Sequence, residues 1–138
     1  MLLHWRGDRR KIQIGRRELF LDDIIYISYH DRISYVFLKD GTILEHRVQL
    51  SQLLADLKYK SHFLFAQINQ NYIVNFKNVN IDYYEGDDEK YYFTNYLPHD
   101  KDEGRTEDFV KTRTRSGLNK NFEREYKRFL RIKQLLLN

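Results

Sequence analysis

The segment Phe65-Ala66-Gln67-Ile68-Asn69-Gln70-Asn71-Tyr72-Ile73-Val74-Asn75 decides how the chain is read. The run from Phe63 to Ile68 is apolar and aromatic, as a buried strand is. Three amides follow, Asn69, Gln70 and Asn71. Amides satisfy turn backbone, so they punctuate the pattern. Strand character resumes at Tyr72 and runs to Phe76. Two strands joined by a polar break form the nucleus from which the rest of the chain is assigned.

Upstream, Ile24 to Tyr29 is β-branched and aromatic and predicts a buried strand. A polar break at His30-Asp31-Arg32 precedes a second strand at Ser34 to Leu38. Lys39-Asp40-Gly41-Thr42 predicts a type I′ hairpin turn, because Asp-Gly supplies the positive φ that turn needs. Thr42 to Val48 is the return strand. Leu50, Leu53, Leu54 and Leu57 fall at helical spacing and predict a short helix ending near Tyr59, with Ser51 as a capping residue.

Downstream, Val79–Tyr84 and Tyr91–Tyr96 predict a hairpin around the acidic turn 85–89. Residues 98–108 are polar and acidic, a loop. Phe109 to Arg115 predicts a short strand with a basic end. The tail from Leu118 to Leu137 predicts a helix, with Leu118, Phe122, Tyr126, Phe129, Leu130 and Lys133 on one side and Arg124, Lys127, Arg128 and Arg131 on the other. That apolar stripe fits packing on the sheet or a partner's groove.

Composition narrows the function. The 138 residues are 41% hydrophobic and 15% aromatic, enough for one packed domain. There are no cysteines, which excludes disulfides, thiolate zinc sites, iron–sulfur clusters and cysteine nucleophiles. No apolar run is long enough for a transmembrane helix, and the charged start at Met1–Lys11 lacks the apolar core of a signal peptide. These features lead us to expect a cytoplasmic protein.

The net charge is +4, unevenly placed. Half of the 20 acidic residues lie between Asp82 and Asp108, while residues 111–133 carry nine Lys/Arg against two Glu. A face that gathered the basic ends would contact phosphates, with the acidic hairpin turned away. The bland reading of the same charges is a solvated helix surface.

Chemistry is sparse. His4, His30, His46, His62 and His99 form no ligand spacing such as HxH or HExxH. A nucleophile elbow, a P-loop and a dinucleotide turn are all missing. Asp87-Asp88-Glu89 and Asp100, Asp102 and Glu103 lack the spacing and glycine of a calcium loop and read as solvated turns. The expectation is a non-enzyme with no cofactor and no metal.

With these elements in place, the chain resembles the LytTR DNA-binding domain of bacterial transcription regulators over roughly residues 11–120. In that family an aromatic pair, an Arg-Ile-His-like stretch and a "SYIVN"-like strand follow one another. Phe65, Ile68, Tyr72, Ile73, Val74 and Asn75 fit that order. Asp23 to Ile27 resembles the family's first core strand, Tyr35 to Leu38 with Lys39-Asp40-Gly41 its hairpin, Leu50 to Leu57 its short helix, and Thr114-Arg115-Ser116 its late "Ser-Arg" element. The chain departs from the pattern at Gln67 and Asn69, where the family usually has Arg and His, at Asn71, where it often has Ser or Thr, and in the long loop 97–109. A stand-alone module without a receiver domain is expected.

The resemblance implies a mainly β fold: an elongated β-sheet domain with a short central helix and a C-terminal helix. Residues 1–117 would form the DNA-binding domain, with 97–109 an acidic insertion. Residues 118–138 would form a basic amphipathic helix packed on it or extending from it. The implied partner is duplex DNA at paired or repeated sites, bound by two copies in contact through the C-terminal helix.

The family reads bases from three places, which here are His30 and Arg32 in the first break, Asn69 and Gln70 in the second, and Arg115. Asn and Gln can pair with the adenine edge and Arg with guanine. Arg113, Lys111 and Lys120 would meet phosphates. The bland alternatives are that Arg32 is a solvated loop residue, that His30 caps a turn, and that Asn69 and Gln70 brace their own loop. Asn75 reads as a structural turn-former. A competing function is a protein-interaction module on this scaffold that has lost base reading. RNA binding is a third, without an RNP-like or KH-like motif to carry it.

Overall fold

The computed structural model describes residues 10–84, 90–95, 108–112 and 118–137. It is mostly antiparallel sheet with two helices, as expected. The chain opens with a hairpin of β1 (Lys11–Ile14) and β2 (Arg17–Phe20). Gly15 supplies the positive φ of its two-residue turn, +61°. Alternation buries Ile12 and Ile14 and exposes Lys11 and Gln13.

One 3-10 turn, Leu21–Asp23, leads into a meander of β3 (Ile24–His30), β4 (Ile33–Leu38) and β5 (Ile43–His46). Helix α1 (Leu50–Lys60) buries Leu50, Leu53 and Leu57. A second hairpin, β6 (Phe65–Asn69) and β7 (Tyr72–Asn75), follows. It joins the first group by pairing β7 with β3, so the main sheet runs β5-β4-β3-β7-β6. A separate sheet in the order β10-β9-β8 contains β8 (Val79–Tyr84), β9 (Lys90–Asn95) and β10 (Asp108–Thr112). The last element is α2 (Phe122–Leu137).

The core is shared by these parts. Central strand β3 is buried on both faces from Ile24 to Ser28, whereas β4 alternates, burying Ser34, Val36 and Leu38. From α2, Phe122 and Phe129 are sunk into the core. Phe76, just past β7, packs 5.7 Å from Phe122 and 5.2 Å from Phe129. On its other side Phe122 meets Phe93 of β9 edge-on at 5.5 Å. Phe122 therefore joins the two larger sheets, and burying such a ring is worth about 1.5–3 kcal/mol. Lys58 of α1 also pairs with Glu125 of α2. Among the described residues no helix is long and apolar enough to cross a membrane.

Two buried amides fix where β7 begins and ends relative to β3. The β3–β7 ladder starts at Tyr26, which leaves the Ile24 carbonyl without a strand partner on that side. Asn75 Nδ2 donates to it at 2.9 Å and to the Leu21 carbonyl at 3.3 Å. Asn78 Nδ2 donates to the same Ile24 carbonyl at 2.9 Å and to that of Asp22 at 2.7 Å. Asn75 Oδ1 in turn accepts the Lys77 N–H. The structural reading of Asn75 agrees with these bonds.

Three local expectations are corrected. The β4–β5 turn is not type I′. Gly41 N–H donates to the Leu38 carbonyl and Leu38 N–H to the Thr42 carbonyl, with Gly41 alone in the turn at positive φ, +89°. That is the three-residue hairpin with a glycine bulge, and Asp40 serves it by accepting the Thr42 N–H at 2.9 Å. The same bond holds the Asp40 carboxyl below the usual range. Ser51 does not cap α1; Gln49 occupies that position without a side-chain bond, and Ser51 lies inside the helix. Leu130 is 42% exposed, so the apolar stripe of α2 is narrower than its spacing suggested.

Removing the Asn75 amide takes one donor from each of the Leu21 and Ile24 carbonyls, which keep the Ile24 N–H and Asn78 Nδ2 respectively, and the acceptor from the Lys77 N–H. Losing these bonds costs about 1–3 kcal/mol. Asn75→Ala is therefore expected to lower the unfolding free energy by that amount, seen as a lower urea midpoint at an unchanged slope. An unchanged midpoint would show that the clamp does not hold the sheet.

Candidate nucleic-acid interface

Strand pairing brings two sequence-distant turns to one end of the main sheet. The β3–β4 ladder closes at the pair His30–Ile33, so Asp31 and Arg32 are the two central turn residues. Both have positive φ, 53° and 65°. This is the type I′ geometry that matches the twist of the strands, and it normally takes Asn-Gly or Asp-Gly. An arginine in that region is strained, by about 1–2 kcal/mol. Strain of this kind gathers at functional sites.

The β6–β7 turn lies beside it. Tyr72 pairs with Asn69, leaving Gln70 and Asn71 at the tip, both exposed. Asn69 Oδ1 accepts the Asn71 N–H at 2.8 Å, so Asn69 braces the loop. Gln70 projects from a loop that its neighbour holds rigid. The β3–β7 ladder pairs Ser28 with Tyr72, and Tyr29 N–H donates to the Asn71 carbonyl at 2.7 Å. Continuing that register sets His30 level with Gln70. The turn centres are two inter-strand spacings apart, about 10 Å, so one face of a duplex can meet both.

A row of aromatic rings runs along β3 to this end. Tyr26 stacks on Phe37 at 4.3 Å, and Tyr72 meets the exposed His30 edge-on at 5.9 Å. Burial, then the neighbouring Tyr72, push the Tyr26 hydroxyl up to about 12. It is neutral near pH 7. Burial and Asp82 also raise Tyr126, far along the chain in α2.

The expected site residues divide. His30, Arg32, Asn69 and Gln70 come together at this end of the sheet. Lys120 stands near it and is exposed: one residue earlier, Asn119 N–H donates to the Ile68 carbonyl at 2.6 Å, fastening the chain to the outer edge of β6. Lys111 stands instead in β10, the outer strand of the other sheet, paired with Tyr92. Arg113, Arg115 and the acidic turn 85–89 lie outside the described residues.

Arg47 was missed. Ser34 pairs with His46, so Arg47 follows β5 at the same end, level with Ile33 and next to the Asp31-Arg32 turn. Ser34 Oγ donates to the Val48 carbonyl at 3.0 Å, and Val48 N–H donates to His46. These bonds fix the bend from which the exposed Arg47 extends. The available signal was a cation directly after a strand whose hairpin partner begins at the Asp31-Arg32 turn.

Geometrically the site offers amide donors and acceptors on Gln70, an imidazole, and the guanidiniums of Arg32 and Arg47. Those groups suit base edges and phosphates. Among the described residues no cluster of three His, Asp or Glu could hold a metal ion.

A family model described as the LytTr DNA-binding domain matches residues 15–99. That span contains both turns and Arg47, and it stops before Lys111, Arg113, Arg115 and Lys120. No curated protein and no solved structure matches the chain.

The strained turn makes a prediction of opposite sign for stability and for function. Asp31→Asn/Arg32→Gly supplies the residues that type I′ prefers and is expected to stabilise the fold by about 1 kcal/mol in thermal unfolding. The same variant is expected to bind DNA less tightly. A destabilised variant would show that the turn is not strained in this way.

Proposed function

Since the chain belongs to the LytTr DNA-binding domain family, whose model spans residues 15–99, we propose that it regulates transcription by binding a specific duplex sequence through the paired turns. The observation that carries this reading is the β3–β7 register, which sets the His30–Arg32 turn beside the Asn69–Asn71 turn. Gln70 and Arg32 read base edges in the major groove, and Asn69 holds the loop from which Gln70 reads. His30 contributes a third polar edge.

Arg115 reads bases from the segment that leads into Leu118. Arg47, Lys111, Arg113 and Lys120 meet phosphates and fix the register of the protein on the duplex. The role is recognition without catalysis, exercised in the cytoplasm. Two copies occupy paired or repeated sites, and Leu135, 76% exposed on α2, is available for the contact between them.

The competing reading, a partner-binding module, rested on Gln67 and Asn69. Gln67 lies within β6 opposite Ile73, and Asn69 is engaged with Asn71. Neither of these two departures falls on Gln70 itself, and Asn71, a third departure, shares the tip with it through its bond to Asn69; an intact Gln70 supports DNA over a lost function.

Selection from a random duplex pool tests the proposal. The wild-type chain is expected to enrich one motif and to bind it more weakly as salt rises. Gln70→Ala, Arg32→Ala and Arg115→Ala should each relax preference at different base pairs, by about 1–3 kcal/mol apiece. A pool without an enriched motif, together with salt-independent binding, would overturn the reading.

A further inference from the structure

Helix α2 lies beyond the family match and carries a feature that the paired turns do not explain. Lys120, just before it, and Arg124, Lys127 and Arg131 within it follow at spacings of four, three and four residues. At about 100° per residue Arg124, Lys127 and Arg131 share one face of the helix over about 10 Å, and Lys120, in the turn before it, lines the same groove. All are exposed. Among the described residues no carboxylate forms an ion pair with any of them.

Together with Glu123 and Leu130 they line an open groove. The one acid in that lining is engaged elsewhere, since Glu123 Oε1 accepts the Tyr91 hydroxyl at 3.0 Å. The opposite face of the helix is committed to the core through Phe122 and Phe129. The cationic face is therefore held rigidly outward and has no large aromatic anchor for a lipid surface. Its starting point is fixed as well: the Asn119–Ile68 bond places Lys120 near the Asn69–Asn71 turn.

We propose that this face of α2 is a phosphate rail. Lys120, Arg124, Lys127 and Arg131 lie along the backbone of the duplex that flanks the bases met by the turns. This rests on the DNA-binding reading above and deepens it, by assigning affinity and sequence preference to different parts of the chain. A duplex carries one charge per about 1.7 Å of axis, so even the helical part of the rail, about 10 Å with three cations, faces more phosphates than it has cations. Each neutralised phosphate releases counterions and steepens the salt dependence by about 0.9 in the logarithmic slope. Base preference gains nothing from it.

The test compares the full-length chain with Lys120→Gln/Arg124→Gln/Lys127→Gln/Arg131→Gln and with Arg124→Gln/Lys127→Gln. The probes are the duplex recovered by selection and a scrambled duplex of equal length, between about 50 and 200 mM salt. Circular dichroism checks the helix; should the fourfold variant lose it, the double variant alone decides.

The fourfold variant is expected to bind both duplexes more weakly in equal proportion, with a slope shallower by about 3–4, and the double variant by about 2. The selected motif should stay the same. An unchanged slope, or a loss confined to the selected duplex, overturns the rail. So does a wild-type chain that binds phosphatidylserine vesicles through these residues while its DNA slope is unaffected by the substitutions. If the wild-type chain binds neither duplex, the DNA-binding reading itself fails first.

Discussion

The pairing of β3 with β7 is the constraint on which the rest of the structure depends. It joins two hairpins that lie some forty residues apart in the chain, and it alone puts their turns side by side. The pairing is short, from Tyr26–Val74 to Ser28–Tyr72, so its register needs a second lock. Asn75 and Asn78 provide one by seizing the carbonyls of Leu21, Asp22 and Ile24 at the far end of the sheet. A slip of one residue would take these donors from the Asp22 and Ile24 carbonyls and would turn every side chain of β7 to the wrong face. Asp22 adds ion pairs to Lys39 and Lys77 at the same place. Such partly exposed pairs contribute about 0–1 kcal/mol each, so the amides carry more of the lock.

Rigidity at one end permits strain at the other. The far end is held by satisfied buried amides, and the near end keeps Asp31 and Arg32 at positive φ. A chain selected for stability alone would place Asn-Gly there. The glycine-bearing turn instead occurs at Asp40-Gly41, where Gly41 takes the positive φ without strain. The two hairpins thus differ in that one turn meets its positive φ with glycine and the other with Asp31 and an exposed arginine.

Much of this was legible in residue pattern. β-branched and aromatic runs located β3, β4 and the β8–β9 hairpin, and leucine spacing located α1. The β1–β2 hairpin was not legible: Lys11-Ile12-Gln13-Ile14 alternates over only four residues, inside a stretch dominated by its charge. Turn chemistry misled in both directions, since Asp-Gly suggests type I′ where a bulge forms, and Asp-Arg conceals the type I′ turn that exists. In the site, family order pointed to His30, Arg32, Asn69 and Gln70. Arg47 escaped because its nearness to Arg32 arises from β4–β5 register and not from any motif. The α2 rail was visible as helical spacing, but its outward direction became clear only once Phe122 and Phe129 were found in the core.

The central claim is that DNA meets the paired turns at one end of the main sheet. Amide chemical-shift mapping of the chain against a duplex recovered by selection tests it most directly. The account predicts the largest shifts at residues 30–32, 47 and 69–71, with little change at the Asn75–Asn78 end or in β8 and β9. Shifts concentrated at that far end, or on the three-stranded sheet with the turns unmoved, would contradict it.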